Sequence, residues 1–465
     1  MLLNLILLGA TASALAPLER TDGKILLGAW YDRNLSDTPS AVNARIGYKP
    51  LSFFQTDVDF SGTLKPWTSP QTVIPQFQQQ LKDTNTDAIA MLTVYPFQGL
   101  GDKISDAQLK DMGDRLNGLV NSGRQVFLRF APEMNGNWFS YGQDPAGFIS
   151  TWQRCIKYWR TALGSNVNKV AFVWSPNSGN GYPYPGGESW PNPNSTAKFD
   201  LDRIGLMDTN RNGKLDPLDN PYIPFYPGDE YVDWVGISIY HYGIEWPWVN
   251  NSIPEPQKFE RYITGYPDNG DYFGYFPFYT PFSTPAGATN NITNTKVSSG
   301  NKPFIVSETA ATYHFAWVDS TTPQATLLQD HTRVEIKEAW WNSFLTQDFI
   351  SRYPRFQAVC TFEFIKTEEL TWRDFSAFGP PPNPSGVNFE AEDQDVANAF
   401  ARDAKGMGFV AWAKLGATNG TATVTASATG ALIDNNKQQS GSGKTEITHI
   451  VGALLLAAWI RIMIA

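Results

Sequence analysis

Between residues 20 and 410, short and almost unbroken apolar runs alternate with longer stretches of helical periodicity. The runs fall at 25–31, 50–55, 88–95, 125–132, 170–174, 232–240, 303–308 and 356–362. Runs of this length without polar alternation are expected of parallel strands covered on both faces. Between them, 74–84, 105–122, 145–163 and 332–346 carry the spacing of helices. Strands interleaved with helices in this way predict an α/β fold, a (β/α)8 TIM barrel. An open doubly wound sheet is the alternative, but no G-x-G-x-x-G follows any of these strands. The connections 175–229 and 241–302 are too long for ordinary strand-to-helix loops. They read as long loop insertions on the face where the strands end, which is the active-site face of such a barrel.

The two ends have a different character. An apolar run from Leu2 to Leu8 leads into Ala10, Ala12, Ala14 and Ala16, the pattern of a secretory leader cut after Ala14 or Ala16. At the other end, 413–442 is rich in Thr, Ala, Ser and Gly and reads as a stalk. Small residues, a polar spacer and the apolar stretch 450–465 follow, the ingredients of a GPI-attachment signal whose tail is removed. Arg461 interrupts that stretch, which is short for a membrane span. The expected organisation is a leader at 1–16, a catalytic barrel at 17–412, the stalk at 413–442 and a removable tail at 443–465. That places the folded part outside the cell, secreted and anchored to the membrane only through lipid. Sequons at Asn34, Asn194, Asn250, Asn291 and Asn419 agree with this location.

Composition narrows the chemistry. The 465 residues carry a net charge of −9, which argues against a nucleic-acid partner. With two Cys and four His, neither a disulfide scaffold nor a His-rich metal centre is available. Cys155 and Cys360 fall on elements far apart around a barrel, so free thiols are favoured over a bridge. Aromatics make up 14% of the chain, more than a core needs, and the surplus suits a sugar-binding groove.

Two glutamates then stand out, both at strand ends. Glu133 lies in RFAPEMNGNWFSYG after the fourth run, and Glu308 lies in PFIVSETA at the end of the seventh. A carboxyl pair at an aromatic-lined barrel mouth can cleave a glycosidic bond. One carboxyl protonates the leaving oxygen while the other attacks the anomeric carbon or activates water.

The order R-F-x-x-E-M-N-G-x-W followed by S-E-T resembles glycoside hydrolase family 26, over roughly 26–378. The resemblance implies a retaining (β/α)8 glycosidase, with Glu133 as acid/base and Glu308 as nucleophile. It also implies that Tyr240 or His241, at the end of the sixth strand, is an aromatic partner of the nucleophile. Arg129, Asn135, Trp138, Trp174, Tyr240 and His241 are therefore the candidate substrate-binding residues, with Asn177 beside Trp174 in the same position. Trp30, Tyr182, Tyr184, Trp190, Trp246 and Trp248 are further rings on or near that face. The chain departs from the family where Pro132 precedes the acid/base in place of His. It departs again on the eighth strand, where Cys360, Thr361, Phe362 and Glu363 stand in place of a Trp.

One insertion carries DTNRNGKLDPLD at 208–219. Asp208, Asn210, Asn212, Asp216 and Asp219, with Gly213 at the turn and the Lys214 carbonyl, match the ligand frame of a calcium loop. The expectation is a structural Ca²⁺ and no catalytic cofactor. The sequence thus predicts a monomeric secreted hydrolase of a β-linked polysaccharide, β-mannan first. A β-1,3/1,4-glucanase, a xylanase or a transglycosylase in wall remodelling is the nearest alternative. A non-catalytic glycan-binding surface protein is the alternative of a different class.

Overall fold

The computed structural model describes residues 15–62, 68–184, 201–244, 249–265, 276–290, 294–317, 331–379 and 390–416. Eight parallel strands close a barrel in the order β1-β8-β7-β6-β5-β4-β3-β2. They are β1 (Leu26–Tyr31), β2 (Phe53–Asp59), β3 (Ile89–Tyr95), β4 (Val126–Phe130), β5 (Val170–Trp174), β6 (Trp234–His241), β7 (Phe304–Ala311) and β8 (Phe356–Glu363). Every neighbouring pair is parallel, β1 to β8 included. Each of the eight apolar runs has become a barrel strand.

The lumen is filled by rings. Phe53, Phe127 and Trp234 meet edge to face, at 5.9 and 5.0 Å between centroids. Gly28 on β1 is required here, because a Cβ would fall 2.5 Å from the Phe53 ring. Below them, the carbonyl of Pro17 accepts from the Trp234 indole at 2.7 Å, so the first described residues cross the floor of the barrel. Hydrogen bonds from Asp87 to Lys414 and from Gly416 to Asn85 carry the folded body to Gly416.

The helices shield the strands from water. α1 (Pro39–Ile46), α2 (Pro70–Asp83), α3 (Asp106–Asn121) and α4 (Pro145–Leu163) follow β1 to β4 in turn. α3 opens with a capping box between Ser105 and Gln108, and α4 with the Asp144 carboxylate accepting from Gly147 N. The expected helix at 332–346 is two. α8 (Arg333–Trp341) ends at Asn342, and α9 (Gln347–Arg352) begins afresh where the Thr346 side chain accepts from Phe349 N. α10 (Glu390–Ala404) closes the ring against α8 and α1.

The insertion after β5 holds α5 (Leu201–Met207). The one after β6 holds α6 (Lys258–Thr264), α7 (Tyr279–Ser283) and a short hairpin, Thr289–Asn290 with Thr295–Lys296. A three-stranded antiparallel sheet, Tyr313–Trp317, Thr371–Asp374 and Ile365–Glu368, rises just beyond β7 and β8. Cys155 and Cys360 are buried and free. Among the described residues no helix is long and apolar enough to cross a membrane. The leader up to residue 14, the stalk and tail beyond 416, the sequons at Asn194, Asn291 and Asn419, and Trp190, Trp246 and Trp248 lie outside the described residues. Asn34 and Asn250 are exposed.

Candidate active site

Alternation along a strand decides which side chains enter the barrel. On β4 the inward positions are Phe127 and Arg129, and on β6 they are Trp234, Ser238 and Tyr240. On β7 the register shifts so that Glu308 stands opposite Ser238. The shift brings Ser307 and Glu308 to the same side. Ser307 hydrogen-bonds Ser175 at 3.0 Å, while Glu308 meets Arg129 and Tyr240. Gly236 leaves the space this needs, since a Cβ there would clash with the Ser307 hydroxyl.

Glu308 is fully buried and has two donors. Arg129 Nη1 pairs with Oε1, and the Tyr240 hydroxyl donates to Oε2 at 2.8 Å. Arg129 is 0% exposed and uses its other nitrogens inside the protein, Nε on Ser175 Oγ at 3.0 Å and Nη2 on Ser238 Oγ at 2.8 Å. Its fork is spent on fixing Glu308, so it is a positioning residue and not the substrate-binding residue expected from sequence. Burial and the neighbouring Glu308 charge drive the Tyr240 phenol well above its usual range, so it stays a donor.

Glu133 reaches the same mouth from a bent loop. After β4, Ala131 and Glu133 both take positive φ, 44° and 54°, rare for residues other than glycine. Glu133 N donates to Ser175 O at 2.8 Å, and Tyr141 Oη ties the loop to the Pro132 carbonyl at 2.9 Å. The Trp138 indole donates to Glu133 Oε2 at 2.9 Å, and its ring stands edge-on to Tyr184 at 5.0 Å. The Glu133 carboxyl is pushed up to about 7, first by burial and then by the charge of Glu308. Arg129 and the bonds from Ser238 and Trp138 offset this only in part.

Three other expected sugar contacts point elsewhere. Trp174 faces outward from β5; its indole donates to Phe225 O at 2.9 Å and its ring stacks on Phe278, packing behind the barrel. His241 follows Tyr240 and so faces the opposite way, with Nε2 against the Ser252 carbonyl at 2.8 Å and the ring against Trp340. Burial lowers its imidazole to about 3, leaving it neutral. Asn135 is a clasp between loops. Its amide donates to Asn177 O at 2.9 Å and accepts from Asn177 N at 2.8 Å, so the Asn135 side chain is spent on holding the Asn177 backbone. The hydroxyls of Ser175, Ser238 and Ser307 escaped notice in the sequence. No motif marks Ser175 or Ser238, and Ser307 joins the inward face only through the register shift on β7. Glu363, a third buried glutamate, accepts from the backbone of Ala377 and Phe378 and has a structural place.

The loop at 208–219 does not bear out the calcium expectation. Asp208 accepts from Asn212 N and Gly213 N, and Asp219 accepts from Asn210 N and Asp216 N. The amide groups of Asn210 and Asn212 donate to Asp216, and Lys214 N caps Asn212 Oδ1. The oxygens that would hold an ion take part in hydrogen bonds that close the loop on itself. Among the described residues no group of three or more His, Cys, Asp or Glu is placed to hold a metal.

Fold and site together define a parallel (β/α)8 barrel with two buried carboxyls at the C-terminal mouth. The chain matches no family model and no curated protein. Solved structures similar to it include the catalytic domain of a family 26 endo-β-1,4-mannanase from Bacillus sp. JAMB-750, at 15% identity and TM-score 0.43, covering 84% of this chain and 90% of that one. A double mutant of a Cellulomonas fimi endo-β-1,4-mannanase gives 14% and 0.43, covering 84% and 72%. A Bacillus subtilis mannanase gives 16% and 0.38, covering 76% and 82%. Likeness at this level carries no weight for activity, which rests on the side chains.

Raising the Glu133 carboxyl from 4.5 to about 7 has a consequence for stability. The folded state holds this proton more tightly than the unfolded chain. The contribution is fully present below pH 4.5 and is lost as pH rises through about 7. Glu133→Gln is neutral throughout, so it should melt higher than the parent at pH 8, the gain shrinking as pH falls through 7 and vanishing below about pH 4.5. Thermal unfolding across that range measures it, and a pH-independent difference would refute the assignment.

Proposed function

We propose that this chain is a retaining glycoside hydrolase that cleaves a β-linked polysaccharide, β-mannan first, by double displacement. The observation that carries the reading is the contrast between two carboxyls in one mouth. Glu308 is held by a guanidinium and a phenol, as a nucleophilic carboxylate would be, while Glu133 sits dry with its proton retained up to about pH 7. In the first step Glu133 gives its proton to the glycosidic oxygen as that C–O bond breaks. Glu308 Oε forms an ester bond to the anomeric carbon. The ester removes the Glu308 charge, the second-largest cause holding the Glu133 carboxyl up. Glu133 is thereby readied to take a proton from water, which attacks the same carbon and returns Glu308 as carboxylate.

The motif supports β-mannan. Pro132 beside the acid and Phe362 on the eighth strand reshape the sugar site, so β-1,3/1,4-glucan and xylan come next, and transglycosylation remains open to the same intermediate. The leader and tail support secretion with attachment through a lipid anchor. Incubation with a panel of mannan, mixed-linkage glucan and xylan, with NMR of the first-formed anomer, tests the reading. Cleavage with β-product first is expected; α-product first, or no cleavage of any β-glycan, refutes it. Release of the activity from cells by a phosphatidylinositol-specific phospholipase tests the anchor.

A further inference from the structure

The far end of the barrel carries a second concave surface. A depression of about 690 Å³ opens where Leu26, Ile89 and Gln125 mark the starts of strands, the end opposite Glu133 and Glu308. Although the chain is acidic overall, this surface is basic. Arg20 is neutralised by Asp22, but Lys24, Lys49, Lys405 and Lys414 have no carboxylate partner among the described residues, and only Asp87 opposes them. Tyr48, 38% exposed, stands edge-on to Trp412 at 5.5 Å on the rim, and the Lys49 ammonium lies over the Tyr48 ring at 5.2 Å.

We propose that this basal depression binds an anionic polysaccharide, one bearing carboxylate or phosphate on its sugars. The exposed Tyr48 ring offers apolar surface to a pyranose, and ammonium groups gathered on one surface attract a chain of negative charge. Being concave, the surface suits an inserted polymer chain better than a planar bilayer. Occupation would leave the carboxyl mouth free, so the protein could hold one polymer while acting on another. This reading does not depend on the carboxyl pair.

The full chain is titrated with polygalacturonate by calorimetry, beside neutral mannan, inorganic phosphate and vesicles containing phosphatidylserine. Expected is saturable binding of polygalacturonate that weakens with added salt. Lys49→Glu with Lys405→Glu should weaken it by about ten-fold or more, since each reversal turns an attraction into a repulsion. Tyr48→Ala should weaken binding of the polymer without changing the salt dependence. Melting temperature and any β-glycan cleavage should stay at parental values, because these side chains are exposed and remote from the mouth. Undiminished binding in the double variant, no binding at all, or equal affinity for phosphate or vesicles would overturn the proposal.

Discussion

Glu308→Gln should lower kcat/KM on the cleaved polysaccharide by at least about 10⁴-fold, with no recovery on substrates that have better leaving groups. A glutamine nearly matches the carboxylate in shape but cannot supply the electron pair that forms the ester. The loss therefore falls on bond formation at the anomeric carbon, which no leaving group repairs. Glu133→Ala should behave differently. Its loss, about 10²- to 10⁴-fold on polysaccharide, comes from missing proton transfer, so an aryl glycoside that departs without protonation should still form the intermediate. That intermediate would accumulate as a burst and be released by azide, which needs no base to attack it. Rapid-quench kinetics on both variants checks the pair. Equal loss on both substrate types in both variants would remove the division of roles. Glu308→Gln also carries an internal check, because removing its charge should lower the Glu133 carboxyl from about 7.

Much of this was legible in the chain. The eight strands could be read because each is long, apolar and separated by helices, and β5 matches its run residue for residue. The carboxyl pair could be read because strand ends in a barrel share one face. Side-chain parity could not. Strands covered on both faces show no period of two, so nothing in VAFVW says that Val173 enters the barrel and Trp174 leaves it. The same ambiguity joined His241 to Tyr240. Short elements were also hidden. α6 and α7 span too few turns to establish a period, and the small sheet beyond β7 and β8 is built from runs of four and five residues. In the loop at 208–219 the spacing of oxygens was read correctly, but spacing does not say that backbone amides take them.

Arg129→Met should destabilise the fold by about 3–5 kcal/mol, the typical result of leaving one member of a buried ion pair alone. It should also cut activity by about 10²-fold or more, through a Glu308 no longer held beneath the anomeric carbon. Loss of stability alone would not separate a positioning role from a structural one, so the informative readout is the basic limb of the kcat/KM profile. In the parent, the rate is expected to fall as Glu133 loses its proton near pH 7. Arg129 is among the causes that lower this carboxyl, so removing the guanidinium should move the limb to higher pH. Arg129→Lys retains the charge but cannot span Ser175, Ser238 and Glu308 with one ammonium. It should keep the limb near its parental position while activity stays low. If Arg129→Met keeps the parental limb, or Arg129→Lys restores full rate, Arg129 does not act through the carboxyl pair.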